Sequence, residues 1–304
     1  MPYCVNCGKD YAKQPSICMN CFLDPAILEA RVDQKLHQLA FSNFGSGGDF
    51  SYFGERTSLA LSVTILAILA FIIGTISFGL FFVMVGLALV NLKISNIRSR
   101  GSMIRLSPDN FPDLYRLMKV VCYRLKVPLL PVYIHQAQEY NAHTQGFLRD
   151  AWVVLNSELV EDFTPLELAF VLGHEAAHVK RRHTTWLTLM SPASNISAAL
   201  VSGIVRAVFN FWSLKCEHTA DRGGLLAVRD LDAAISTLLK LAAGLQMAAK
   251  TDWKKLIEEH EEKDSLLLKA SELLGTHPFP VRRIKEIYEF SRSEKYRSML
   301  RDRQ

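Results

Sequence analysis

Near the middle of the chain lies the segment TPLELAFVLGHEAAH, residues 164–178. Its first residues predict the start of a helix: Thr164 suits the N-cap, Pro165 suits the first helical position, and Glu167 can complete a capping box. The apolar run that follows favours burial of this helix, and the pattern predicts that it continues to about His183. The segment therefore predicts a buried helix whose second half carries ionisable side chains.

The second half of this helix carries His174, Glu175 and His178. Two histidines four residues apart lie on one helix face, so both imidazole rings can reach one ion. Neutral imidazole suits Zn²⁺, and a catalytic zinc keeps three protein ligands and a water. Glu175 is placed to hold that water. Because HExxH also occurs by chance, this interpretation depends on a third ligand.

A third ligand is available downstream in Glu217-His218-Thr219-Ala220-Asp221. On a helix, Glu217 and Asp221 are one turn apart. Glu217 can complete a His-His-Glu site, and Asp221 can accept the second ring N–H of a ligand histidine and so set its tautomer. The alternative is that both carboxylates belong to a solvated acidic helix face.

Upstream, residues 57–92 contain no charged side chain, which is typical of a segment embedded in lipid. One straight helix of that length would span about 54 Å, whereas the hydrocarbon core is about 30 Å thick. The small residues of Gly74–Gly79 predict a break into a hairpin of two short helices. Basic residues, including Arg56 and Lys93, flank both ends and favour a cytoplasmic location for both. The alternative is one tilted span with the following domain outside.

The composition agrees with a membrane protein. The chain has 304 residues, 49% of them hydrophobic, and a mean hydropathy of +0.12. The net charge of +5 is a mild excess that does not indicate a nucleic-acid partner. The first 25 residues lack the apolar core of a secretory signal. We therefore expect an integral membrane protein with its N-terminus, and its catalytic domain, in the cytoplasm.

Four of the six cysteines form two C-x-x-C pairs near the N-terminus: Cys4, Cys7, Cys18 and Cys21. Four thiolates at this spacing predict a small zinc ribbon with a structural Zn²⁺ rather than a disulfide framework. The ribbon carries only Lys9 and Lys13 against Asp10, so we expect it to contact a protein partner and not nucleic acid.

These patterns predict a mainly α fold with a small β-sheet. The chain divides into the ribbon (1–25), an amphipathic helix and flexible linker (26–56), the transmembrane segment (57–92) and a globular domain (93–304). Helices are predicted over 108–127, 164–183, 215–250 and 281–300, and strands over 132–134 and 152–155. The uncharged residues 184–205 predict a re-entrant hairpin or a lid, because two full spans would not fit between the ligands.

The motifs resemble those of the HtpX-like membrane zinc metallopeptidases, relatives of the CAAX prenyl endopeptidases. The family pattern is HExxH, then ExxxD, then Thr-His-Pro followed by Arg-Ile. It is matched here by 174–178, 217–221, Thr276-His277-Pro278 and Arg283-Ile284. Asn141-Ala142 matches the start of the family's edge strand, whereas His143 and Thr144 depart from its usual small or aromatic residues.

The resemblance implies a gluzincin-type metallopeptidase domain over roughly 107–290. It implies that zinc is bound by His174, His178 and Glu217. Glu175 would act on the zinc-bound water as general base and then protonate the leaving amine, with Asp221 orienting a ligand histidine.

The resemblance also implies roles around the substrate. His277 and Arg283 would stabilise the substrate or the oxyanion, with a purely structural role as the alternative for His277. Asn141 and Ala142 would bind substrate by strand addition. Three further histidines receive no role and are expected at the surface: His183, His218 and His260.

The sequence thus predicts a zinc metalloendopeptidase that acts on membrane or membrane-proximal proteins. A role in protein quality control is favoured over the cleavage of a prenylated substrate, because a short membrane anchor encloses a substrate less than a multi-span chamber would. One alternative is a catalytically inactive zinc-binding scaffold, which retention of Glu175 disfavours. Another is a membrane-tethered nucleic-acid binder, which the sparse basic charge of the ribbon disfavours.

Overall fold

A computed structural model describes residues 50–76, 79–147, 150–187, 199–262 and 278–301. The predicted zinc ribbon with Cys4, Cys7, Cys18 and Cys21 lies outside these ranges, as do the amphipathic helix and His277. Of the predicted re-entrant hairpin or lid, residues 188–198 also lie outside them.

Two helices of 22 residues cover the uncharged segment: α1, Glu55–Ile76, and α2, Leu80–Gly101. Each is about 33 Å long at 1.5 Å per residue. Gly79 precedes α2 at φ 86, and its N–H donates to the carbonyl of Gly74. A Cβ on Gly74 would lie 2.2 Å from the ring of Phe82. Glycine at 74 therefore lets the two helices meet closely beside the turn.

Of the helices in the described ranges, one is long and apolar enough to cross a membrane. This is the window Glu55–Ile72 of α1, with a mean hydropathy of 1.7 and only 17% of its residues buried. The end of the predicted flexible linker, by contrast, packs on the domain: Phe50 is buried and the Tyr52 N–H donates to Thr219 Oγ1. Residues 50–54 therefore contact the domain ahead of α1.

Four strands form one mixed sheet: β1, Ile104–Arg105; β2, Val132–His135; β3, Ala142–Phe147; and β4, Asp150–Asn156. Their order is β1-β2-β4-β3, with β2 and β4 parallel and the other pairs antiparallel. The predicted strands at 132–134 and 152–155 are confirmed. In the described part of the chain, β3 lies at an edge of the sheet.

The rest of the domain is helical: α3, Pro112–Leu125; α4, Ser157–Asp162; α5, Pro165–Lys180; α6, Ala199–Val228; α7, Leu231–Ala243; α8, Leu245–Ala248; α9, Trp253–Glu262; α10, Pro280–Arg292; and α11, Glu294–Arg301. The mainly α fold with a small sheet is therefore confirmed. Both α3 and α6 pack against the central helix α5, whose residues from Leu166 to Lys180 are all buried.

The capping box at the start of α5 is present. The Thr164 N–H donates to Glu167 Oε2 at 2.8 Å, and the Glu167 N–H donates to Thr164 Oγ1 at 3.4 Å. The prediction that this helix continues to His183 is wrong. It ends at Lys180, because Arg182 takes a left-handed conformation at φ 60 and turns the chain back.

Small residues bring α5 and α6 together. A Cβ on Gly223 would lie 2.3 Å from the Cβ of Ala177, and one on Gly173 would lie 2.5 Å from the Cβ of Ala227. Real Cβ atoms do not approach so closely, so glycine is required at these crossing points. The close contact sets the second half of α5 directly against the middle of α6.

Candidate metal centre

The close packing of α5 and α6 brings three ligand atoms together. His174 Nε2 and His178 Nε2 are 3.1 Å apart, and they lie 3.7 Å from Glu217 Oε2 and 3.4 Å from Glu217 Oε1 respectively. Zinc bonds of about 2.0–2.2 Å in tetrahedral geometry place ligands roughly 3.4 Å apart. The three side chains therefore fit one Zn²⁺, and all three are buried. A buried anionic cluster of this kind is stabilised by a cation.

Asp221 and Arg283 support the first ligand. Asp221 Oδ1 lies 2.9 Å from His174 Nδ1, which leaves Nε2 of that ring for the metal. Arg283 donates two hydrogen bonds to Asp221, from Nε at 2.8 Å and from Nη2 at 2.7 Å. Burial favours the neutral acid, but the Arg283 charge and hydrogen bonds hold the pKa of Asp221 well below its usual range. Arg283 therefore supports His174 indirectly, by holding Asp221 in place.

Glu175 lies in the same cleft and is contacted by the edge strand. The Thr144 hydroxyl donates to Glu175 Oε2, and it also lies 3.3 Å from the Glu175 carbonyl. In the sequence, Thr144 is only a departure from the family pattern. Its contact with Glu175 could not be predicted, because it depends on how β3 lies against α5.

A cavity of about 580 Å³ opens over these groups. One wall is the edge strand, including Asn141, Ala142 and Thr144. Apolar side chains of three helices line another part: Leu159, Phe170, Leu238 and Leu241. The predicted substrate-binding residues Asn141 and Ala142 thus line the same cavity as Glu175, and the cavity can hold an apolar side chain.

Two histidines expected at the surface are buried. His183 is 1% exposed and His218 is 6% exposed, whereas His260 is half-buried. Burial disfavours the imidazolium form and lowers the pKa of both His183 and His218 to about 4. The expectation of surface positions for His183 and His218 is therefore wrong. The left-handed turn at Arg182 that buries His183 has no signal in the sequence.

Comparisons with known proteins agree with this geometry. The model of the family described as Peptidase family M48 matches residues 108–291. The Plastoglobule-localized metallopeptidase 48, chloroplastic, of Arabidopsis thaliana is 28% identical over 228 residues, which cover 69% of this chain and 65% of that protein. The Protease HtpX homolog 2 of Methanosarcina acetivorans is 31% identical over 124 residues, covering 40% and 41% of the two chains.

A third relative is the Protease HtpX homolog of Moorella thermoacetica, which is 33% identical over 108 residues that cover 35% of this chain and 34% of that protein. The matched region thus spans less than two thirds of the length of each of these three relatives. No solved structure matches the chain at a significant level.

Proposed function

The chain belongs to peptidase family M48, and we propose that it is a membrane-anchored zinc metalloendopeptidase that cleaves membrane or membrane-proximal proteins. The observation that carries the proposal is the tetrahedral spacing of His174, His178 and Glu217 beside Glu175. A purely structural metal site has no need of a carboxylate such as Glu175 in the cleft.

Glu175 performs the proton transfers in this proposal. Zinc held by the three ligands would lower the pKa of a coordinated water to about 7 and polarise the substrate carbonyl. Thr144 donates to Glu175 Oε2, which leaves Oε1 as the oxygen that takes a proton from the attacking water. The water oxygen bonds to the carbonyl carbon, the C–N bond breaks, and Glu175 passes its proton to the leaving amine nitrogen.

The edge strand β3 is the proposed platform for substrate. An extended peptide can add to β3 as a further antiparallel or parallel strand, through backbone hydrogen bonds that are independent of its sequence. Ala142 and Thr144 line the cavity from this strand. A peptide bound there passes next to Glu175, with an apolar side chain directed at Phe170 and Leu238.

Two contacts support a membrane-proximal substrate. The first residue of α1, Glu55, bonds to His183, which contacts the ligand His178. The last turn of α2 is attached to the sheet, because Arg100 bonds to Asp150 at 2.6 Å. Both outer ends of the α1–α2 pair are thus tied to the domain that carries the metal centre. This supports a hairpin with the domain on one side of the membrane, close to its surface.

The physiological role that we propose is protein quality control. The described side chains of α1 and α2 are largely exposed, as expected of a lipid-facing anchor rather than of the wall of a closed chamber. The predicted N-terminal ribbon, with a second zinc, is the proposed contact for a protein partner.

The test compares metal content and casein cleavage for the purified wild type, Glu175→Gln and His174→Ala. We expect Glu175→Gln to keep its zinc and to lose nearly all cleavage, and His174→Ala to lose both one zinc and cleavage. Glu161→Gln, an exposed carboxylate of α4, is the matched control and should behave as wild type.

Two results would oppose the proposal. Undiminished cleavage by Glu175→Gln would exclude Glu175 as the base. A folded, zinc-loaded wild type that cleaves nothing would favour the inactive scaffold. A second zinc that survives in His174→Ala would support the structural ribbon.

A further inference from the structure

The second metal-binding histidine has its own partner on the side away from the metal. His178 Nδ1 lies 3.1 Å from Nδ1 of His183, and His183 Nε2 lies 3.1 Å from Oε1 of Glu55. All three side chains are buried. Glu55 is the first residue of α1, so this chain of contacts runs from the start of the membrane helix to the metal centre.

The direction of each hydrogen bond can be assigned by starting at Glu55, the residue of this chain of contacts that is farthest from the metal centre. The Tyr52 N–H donates to Thr219 Oγ1 at 3.0 Å, so the Thr219 hydroxyl is free to donate to Glu55 Oε2. The Arg181 guanidinium lies 3.6 Å from Glu55 Oε1 and favours the ionised carboxylate. An ionised carboxylate only accepts hydrogen bonds. His183 must therefore donate to Glu55 from Nε2.

The direction of the hydrogen bond between His183 and His178 is then determined. A neutral imidazole has one N–H, so His183 Nδ1 carries a lone pair and accepts the bond from His178 Nδ1–H. This leaves the lone pair of His178 on Nε2, the atom that faces His174 and Glu217. That tautomer is the one that binds a metal through Nε2.

We propose that Glu55 and His183 form a two-residue relay that positions His178 for the metal. The relay does for His178 what Asp221 does for His174, with one imidazole inserted between ligand and carboxylate. It rests on the proposed function, since its purpose is to orient a zinc ligand. Glu55 and His183 are positioning residues, because neither lines the cavity.

Neighbouring residues hold His183 and Glu55 in place. Arg182 adopts a left-handed conformation, which is unfavourable for a non-glycine residue. That turn is what places His183 over His178. The indole of Trp212 packs edge-on against the His183 ring, with centroids 5.9 Å apart. Thr219, which holds Glu55, lies on the same helix as Glu217, so the relay and the third ligand share a support.

The relay also connects two parts of the molecule. Glu55 lies 128 residues before His183 in the chain. A displacement of α1 that removes Glu55 from His183 would free that ring to turn or to change tautomer. His178 would then lose the acceptor that holds its N–H, and the metal would be held less tightly.

The experiment measures zinc affinity of the full chain in detergent, by competition with a chelator. A chain with both His174→Ala and His178→Ala reports any zinc held elsewhere, and this share is subtracted. We expect His183→Phe to weaken zinc binding by about 10–100-fold, the usual effect of removing a partner of a metal-binding histidine. His183→Gln can accept with its oxygen and donate with its nitrogen, so it should restore most of the affinity.

Two comparisons separate positioning from general damage. His218→Phe is the matched control, because His218 is buried on α6 outside the relay, and it should bind zinc as wild type does. Glu55→Leu should lower the affinity as His183→Phe does, and the double variant should be no worse than either single one, since the two groups act in series. If His183→Phe does not fold, the comparison is made at Glu55 instead. Glu55→Gln keeps an acceptor oxygen and should bind zinc more tightly than Glu55→Leu, which has none.

The outcomes are distinct. A wild type that binds no more zinc than the double-alanine chain overturns the proposed function and the relay with it. A wild type that binds zinc tightly, with affinity unchanged in His183→Phe and Glu55→Leu, overturns the relay alone. Losses that add in the double variant, or that His183→Gln does not restore, also overturn it.

Discussion

Thr144 shows how one hydroxyl can matter at this site. It lies on the edge strand, half-buried, and donates to the carboxylate of Glu175. A hydrogen bond to a charged group contributes about 1.5–3 kcal/mol. The hydroxyl therefore holds Glu175 in one orientation, which suits its proposed role in proton transfer.

We expect Thr144→Val to lower kcat/KM by about tenfold or more, because the carboxylate loses a hydrogen bond of about 1.5–3 kcal/mol that holds it in place. Zinc content should not change, since Thr144 does not contact the ligands. The measurement is peptide cleavage with metal analysis of the same samples. Thr144→Ser keeps the hydroxyl and should retain most of the activity, and equal rates for Val and wild type would show that the contact is dispensable.

The start of α5 is stabilised by the carboxylate of Glu167, so this stabilisation depends on pH. Glu167 Oε2 accepts hydrogen bonds from the Thr164 N–H and from Lys240 Nζ at 2.7 Å, and Ser236 donates to Oε1. Burial alone would raise the pKa of Glu167, but these partners, Lys240 foremost, lower it below the usual value. The ionised form is therefore the one that stabilises the helix.

A free glutamate has a pKa of about 4.3, and that of Glu167 in the folded protein is lower, so below about pH 4.3 the unfolded chain binds the extra proton. The stabilisation is present above that pH and is lost as the pH falls through the folded value. In Glu167→Gln we expect a free energy of unfolding lower by about 1–3 kcal/mol at pH 7 and a shallower decline in acid.

Unfolding in detergent, followed between pH 7 and pH 3, measures both quantities. Glu161→Gln, an exposed carboxylate on α4, is the control and should leave the curve unchanged. A Glu167→Gln curve parallel to that of the wild type would show that Glu167 does not carry the acid sensitivity.

At the scale of the whole molecule, α1 and the metal centre are one assembly. Glu55 at the start of α1 is buried with His183 and Thr219, and α6 packs along α1 as well as along α5. Farther along α1, apolar side chains such as Ile68 and Phe71 are exposed. The same helix therefore packs into the domain at one end and exposes apolar side chains farther along, as the proposed membrane anchor requires.

We expect the chain to stay with the membrane fraction after alkaline carbonate extraction. Ile68→Arg combined with Phe71→Arg should release it in part, since each arginine in the middle of a span costs about 2.5–3.5 kcal/mol. Met247→Arg, at an exposed apolar position of α8, is the control. Release of the wild type by carbonate would argue against an integral anchor.

Local patterns determined much of this protein. The capping box of α5, the histidine pair on one face, the Glu217–Asp221 turn and the uncharged segment are all readable, because helix periodicity and hydropathy act over a few residues. The placement of both ligand motifs on helices, and the mainly α fold, followed from these signals alone.

Other features were decided only by the tertiary structure. Gly173 and Gly223 let α5 and α6 approach until Glu217 meets the two histidines. The left-handed turn at Arg182 returns His183 to His178, and Glu55 arrives from 128 residues away. The glycine contacts and the contact of Glu55 join segments distant in sequence, and the turn at Arg182 is local but has no signal of its own. The energy of each depends on packing and burial that no local pattern records. That is why His183, expected at the surface, is buried against the metal-binding residue His178.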